Sequence, residues 1–391
     1  MVAVILTGCT SHRAATTTAP GKTAAIPASG SALGPVAVPQ RIAPAPSDPL
    51  ARVDRDAGVS ALLRDGSVLW FFGDTAEFRL DGTLKYFEMG SAAWAAPGRP
   101  AVTLDGGVNG QAVPFATPTA NFPSCPPNAP TSGMWPASTV VVPVGERDRV
   151  IVWMYNVCLG PGQVAVPKGM SVGEIWYDPK DPPARRVISV TLLTEALFPS
   201  PTYGVAAVLD PDGRHVDVYG CNTGEPGDPA VPKGTAACWA GRVGIDDVAD
   251  PARYEAWTGA TWRRGGEPAP LALGHTGAAP PPVPMTPGPL SVVHDAESDR
   301  FVMAYSPFPG YSDTVQIRVA KRAQGPWSPP TDVKLPGCAD NVGGRLMLCY
   351  AANLQPAFDR PGSLGIGWYD QHAADDPARG NFMASSVPWS M

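Results

Sequence analysis

The chain is poor in charge. Charged residues make up 16% of its 391 positions and the net charge is -6, so it lacks the clustered basic face that a nucleic-acid partner requires. Histidine is scarcer still. His12, His215, His275, His294 and His372 show no His-Glu-x-x-His or comparable spacing, which argues against a transition-metal centre. Cys-x-x-Cys steps are absent, as are a P-loop and a dinucleotide-binding glycine fingerprint. Helix-periodic runs are few. Scattered loop oxygens leave room for a structural calcium; no other cofactor is expected.

Proline and glycine are plentiful, 47 and 42 residues, and favour strands joined by long loops. The most informative stretch runs from Arg55-Asp56 to Asp74-Thr75, with apolar residues leading up to Asp65-Gly66 and away from it. This pattern predicts two antiparallel strands joined by a tight turn, with Asp56 and Asp74 at the open end. Paired acids of this kind suit glycosidic bond cleavage, one protonating the leaving oxygen and the other activating water or attacking carbon. Their geometry hangs on the turn. A strict two-residue turn at Asp65-Gly66 sets Asp56 opposite Thr75 and the acids on opposite faces, whereas a three-residue loop or a bulge brings them to one face. Each acid also has an ordinary reading, Asp56 capping a turn and Asp74 binding amides in the Gly-Asp-Thr corner.

Near the N-terminus, Leu6-Thr7-Gly8-Cys9 resembles a bacterial lipobox, although the apolar run before it is short and lacks a basic leader. Residues 1–9 are therefore expected to be a truncated lipoprotein signal lipidated on Cys9. Residues 10–48, rich in Ala, Thr and Pro, form a flexible tether, and residues 49–391 form the folded domain. On the opposite reading Cys9 is a free thiol in a cytosolic protein. The remaining cysteines fall into neighbouring pairs, Cys125 with Cys158, Cys221 with Cys238 and Cys338 with Cys349. Proximity favours these pairings without deducing them, and disulfides imply export.

Strand-like segments recur in five blocks, at 59–94, 138–192, 203–257, 290–328 and 346–369, each an apolar hairpin followed by more polar strands. Such repetition is the pattern of an all-β, single-domain, five-bladed β-propeller. Radial packing buries both faces of the inner strands, which explains apolar runs in place of strict alternation. A two-sheet sandwich is the rival, and it does not need the repetition.

Asp56-Ala-Gly-Val-Ser60, Leu69-Trp-Phe-Phe-Gly-Asp-Thr75, Trp135-Pro136, Tyr203-Gly204 and Gly325-Pro-Trp-Ser328 together resemble a bacterial family of five-bladed propellers. That family was long labelled a domain of unknown function and is linked to endo-D-arabinofuranose cleavage in the actinobacterial envelope. The resemblance implies that Asp56 and Asp74 are the catalytic carboxylates of a glycoside hydrolase acting on arabinan. With the lipobox at Cys9, the expectation is a monomeric lipoprotein held at the membrane by Cys9 and facing the periplasm or cell envelope. Where related propellers often carry His-Pro, this chain has Gln355-Pro356, which points to a changed subsite contact.

Of the two acids, Asp74 is assigned as base or nucleophile and Asp56 as the proton donor, with the reverse open. Trp135, Tyr155 and Tyr203 are candidates to stack on sugar rings, and Asn156, Asn222 and His294 to bond hydroxyls. Glu88 and Asp295 are reserve acids. The alternative function is a non-catalytic propeller that binds glycan or protein.

Overall fold

The computed structural model describes residues 32–45, 53–79, 83–105, 107–108, 111–183, 187–200, 202–221, 238–273, 290–307, 310–338, 340–342, 345–347, 349–370 and 381–390. Among these, strands dominate, and the helical elements are single 3-10 turns at Pro161–Gln163, Pro251–Arg253 and Pro356–Phe358. Five sheets of four to six strands form the blades of a β-propeller, with a small hairpin, Asp340–Val342 and Arg345–Met347, beside them. Blade 1 begins with Val53–Arg55 and Gly58–Leu62, and blades 2 to 5 begin with Thr131–Val144, Ala206–Leu209, Ser291–Asp295 and Tyr350–Leu354. These innermost strands touch one another in cyclic order around a central channel. Ser60, Thr139, Ala207, Val292 and Asn353 line it, one from each blade.

Each pair of adjacent blades encloses its own apolar core. Phe71 of blade 1 packs with Met134 and Val152 of blade 2, Trp153 with Tyr203 and Val218, Tyr219 with Met303 and Trp327, and Ile317 with Ile366 and Trp368. The fifth core, Trp70 and Phe72 against Phe358 and Phe382, lies where blade 5 meets blade 1 and closes the ring. Burial against a neighbour on both sides is why the inner strands read as continuous apolar runs, and burial of this kind is the main favourable term in folding.

Ring closure draws on a segment that the sequence assigned to the tether. Ala32–Leu33 and Gln40–Arg41 pair with Asn381–Ser390 as outer strands of blade 5, and Ala43–Pro44 then runs parallel to Val102–Asp105 of blade 1. The propeller thus reaches back to residue 32, and the 10–48 boundary is corrected. Ser, Pro and Ala composition resembles a linker, but an outer strand needs only backbone pairing. Residues 1–31, including Cys9, lie outside the described residues.

The disulfides follow the neighbouring-pair expectation, with Cα–Cα separations of 5.6 Å for Cys125–Cys158, 4.0 Å for Cys221–Cys238 and 5.4 Å for Cys338–Cys349. The third spans the passage from blade 4 to blade 5 instead of lying within one repeat.

Candidate active site at the seam of blades 1 and 5

The hairpin of blade 1 turns through a three-residue loop. Leu63 N–H donates to Ser67 O at 2.9 Å and Gly66 N–H to Leu63 O at 2.9 Å, with Gly66 at φ 83, a conformation that glycine adopts at little cost. The pairing Leu62↔Val68 continues to Gly58↔Phe72 and resumes at Arg55↔Thr75. Asp56 therefore lies across from Asp74, and its N–H donates to Asp74 O at 2.8 Å. Between the two paired stretches Ala57 has φ 35, an unfavourable backbone conformation of the sort that clusters at functional sites.

Strand alternation sorts the neighbouring side chains. Asp54 and Asp56 are half-buried, while Arg55 between them is 2% exposed. Arg55 pairs with Asp105, donates to Thr103 Oγ1 at 3.2 Å and lies over the Phe72 ring at 4.5 Å. The acids thus stand on a strand anchored from behind by a buried ion pair.

Each acid has its own partner from another blade. Trp135 of blade 2 donates its indole N–H to Asp74 Oδ1 at 2.7 Å. The Tyr350 hydroxyl of blade 5 hydrogen-bonds Asp56, whose Oδ1 is buried without a partner. The Tyr369 hydroxyl donates to both oxygens of Asp54, at 3.1 and 3.3 Å. Tyr350 and Tyr369 are cross-strand partners with ring centroids 4.7 Å apart, and Tyr311 of blade 4 adds a third ring 5.3 Å from Tyr350.

Burial dominates the electrostatics. It pushes the Asp56 carboxyl up to about 6 against the hydrogen bonds from Tyr350 and the Ala57 backbone. Asp74 rises to about 7 through burial and the charge of Asp56, with Trp135 opposing. Asp54 reaches about 8, again through burial first and Asp56 second, with Tyr369 and Arg41 opposing. Glu88 is raised by burial while it accepts from Met89 N–H; it pairs across from Thr75, beside Asp74. Among the described residues no group of His, Cys, Asp and Glu is arranged to hold a metal ion.

The structure brings Asp56, Asp74 and Trp135 together and disperses the rest of the expected site. Tyr155 sits opposite Trp135 on the next strand and packs behind it. Tyr203, 6% exposed, is a wedge between blades, its ring centroid 5.7 Å from that of Phe198 and 5.9 Å from that of Tyr254. Asn156 is fully buried, donating to Glu195 O at 2.7 Å and accepting from Ser171 Oγ at 2.5 Å. His294 and Asp295 end the first strand of blade 4 and so reach the rim opposite Asp56, which stands at the start of its strand. There His294 meets Asp299 at 3.1 Å and Asp295 caps the turn through Glu297 and Ser298. Tyr203, Asn156 and His294 are thereby removed from the sugar-binding set. Asn222 lies outside the described residues. Gln355 is also no subsite contact: it is buried in the seam, accepting from Ser60 Oγ at 2.6 Å and donating to Gly58 O at 3.0 Å.

Three participants escaped the sequence. Asp54 was detectable, since period 2 places it with Asp56 on one side of a strand. Tyr350 and Tyr369 carried no local signal, because their relation to the acids exists only across the closed ring.

Fold and site define the class: a five-bladed β-propeller with a carboxylate cluster at one mouth of the ring. No protein-family model matches the chain, and no curated protein matches it in sequence. Among solved structures the fold is shared with a candidate hydrolase from Bacteroides ovatus, 16% identical over 85% of each chain with a TM-score of 0.57. A family 117 glycoside hydrolase from Zobellia galactanivorans is 11% identical, covering 90% of this chain and 89% of its own, with a TM-score of 0.46. A GH43_1 enzyme from Xanthomonas citri complexed with xylotriose is 13% identical, covering 87% and 89%, with a TM-score of 0.40. At these identities the likeness is one of fold.

Proposed function

We propose that the protein is an exported glycoside hydrolase that cleaves furanosidic linkages within an arabinan of the cell envelope, with Asp56 and Asp74 as its working pair. The observation that carries this reading is their cross-strand placement with unlike partners. Asp74 Oδ1 accepts from Trp135, and an indole N–H only donates, so a proton on Asp74 resides on Oδ2. Asp56, beside the Tyr350 hydroxyl, is raised by burial, and its charge in turn raises both Asp74 and Asp54, which suits Asp56 as the ionised member of the pair. Of the two orders the sequence left open, we favour the one in which Asp74 is the acid. Asp74 gives its proton to the departing glycosidic oxygen, and Asp56 draws a proton from water or attacks the anomeric carbon as that bond breaks. The described disulfides suit an oxidising compartment, and anchoring through Cys9 belongs to the same reading. The choice of D-arabinan rests on the motif resemblance around Asp56 and Asp74.

The test is incubation of the protein, beside Asp56→Asn and Asp74→Asn, with envelope polysaccharide containing D-arabinan, following released oligosaccharides by chromatography. Release by the parent alone, with all three melting together, is the expected result. A parent that retains the polymer without shortening it would sink the hydrolase reading in favour of a glycan-binding propeller.

A further inference from the structure

Blade 5 presents two tyrosines to blade 1, and blade 1 presents two aspartates to them. Tyr350 and Tyr369 face each other across adjacent strands, while Asp54 and Asp56 are separated by one residue along a single strand. The match is one to one: Tyr369 to Asp54 at 3.1 and 3.3 Å, Tyr350 to Asp56. Their rings lie in tilted contact, with centroids 4.7 Å apart and planes at 45°. Tyr350 is also held along the chain by its neighbour Cys349, which is bonded to Cys338 and exchanges backbone hydrogen bonds of 2.8 and 3.2 Å with Ser312 beside Tyr311.

We propose that Tyr350 and Tyr369 are a pair of positioning residues that address the two aspartates separately, Tyr350 holding Asp56 in its charged form and Tyr369 tying Asp54 out of the reaction. The inference deepens the hydrolase reading and rests on it for its catalytic meaning. Asp56 Oδ1 is buried and unpartnered, and the Tyr350 hydroxyl ranks ahead of the Ala57 backbone among the groups that favour the charged form of Asp56. The other groups facing the pair are Asp74 from the second strand of blade 1, Tyr311 from blade 4, Arg41 from the outer strand of blade 5 and Asp370 at the end of its second strand. Their charges act on both aspartates through space and cannot by themselves give one-to-one responses.

The test needs no substrate. In protein labelled with 13C at the aspartate carboxyls, the titrations of Asp54 and Asp56 are followed by NMR in the parent, Tyr350→Phe and Tyr369→Phe, with Asp54→Asn and Asp56→Asn assigning the resonances. Loss of a hydrogen bond to a carboxylate disfavours the charged form. Tyr350→Phe is thus expected to raise the Asp56 midpoint by about one pH unit and Tyr369→Phe to raise that of Asp54 by a similar amount. Each should leave the other aspartate nearly unmoved. Equal movement of both aspartates in either variant, or of neither, would overturn the proposal. A parent that titrates as expected yet fails to hydrolyse arabinan would leave the tyrosine pair standing and remove only the catalytic reading. Melting curves establish that the phenylalanine rings preserve the fold.

Discussion

Trp135 and Asp74 come from different blades, and the 2.7 Å hydrogen bond between them fixes which oxygen of the acid is free. Trp135→Phe keeps an aromatic surface but removes this donor. The expected outcome is a fall in kcat of about tenfold to a hundredfold, less than the roughly hundredfold to ten-thousandfold of general acid catalysis as a whole because the acid itself is retained. Binding of the polymer should change less, so that kcat and KM separate in steady-state assays.

Activity against arabinan should be bell-shaped in pH. Asp56 must be ionised and Asp74 protonated, so the acid limb reports a group raised to about 6 and the alkaline limb one raised to about 7. The maximum is expected between them. A rate still climbing at pH 9 would exclude Asp74 as proton donor.

Asp54 should make the fold less stable as pH rises. Its carboxyl ionises at 3.8 in a free chain and about 8 in the folded protein. The folded state therefore holds the proton more tightly, and that stability, fully present below the free-chain value, is lost as pH rises through the folded one. Asp54→Asn is expected to raise the melting temperature relative to the parent at pH 8 by on the order of 5 °C, with little effect at pH 4. Calorimetry at both pH values decides it.

Arg55 lies behind the acids and pairs with Asp105, both nearly inaccessible to water. Arg55→Met leaves Asp105 buried without its counter-charge and should cost about 3–5 kcal/mol in denaturant unfolding. Combining it with Asp105→Leu should recover much of that loss.

Breaking Cys338–Cys349, which spans 11 positions, should cost about 3 kcal/mol by loop-entropy reasoning. Because Cys349 precedes Tyr350, the double serine variant is also expected to lose activity at temperatures well below its melting point. An unfolding curve paired with an activity curve separates the two effects.

Legibility in the sequence followed the range of the interactions involved. Asp65-Gly66 announced a hairpin, but loop length decided whether Asp56 met Asp74 or Thr75, and the lone signals for three residues instead of two were Leu63 and Ser67, neither diagnostic. Trp135 was one of three aromatics near expected strand starts, and nothing in the sequence set it apart from Tyr155 and Tyr203. Tyr203 looked identical in context and proved to be a wedge, since exposure and burial at a strand start leave the same residue type. Asn156 misled for a related reason: a buried amide joining Ser171 and Glu195 resembles, in sequence, an amide awaiting a sugar. The outer strands at 32–41 were illegible because pairing there uses backbone and demands no side-chain pattern.

The ring closes late. Asp54, Asp56 and Asp74 are synthesised before Tyr350 and Tyr369, and before the Asn381–Ser390 strand that pairs with Ala32–Leu33 and Gln40–Arg41. A nascent chain consequently carries its acids before their tyrosine neighbours exist, and the contact of Tyr369 with Asp54 forms only once blade 5 has docked on blade 1.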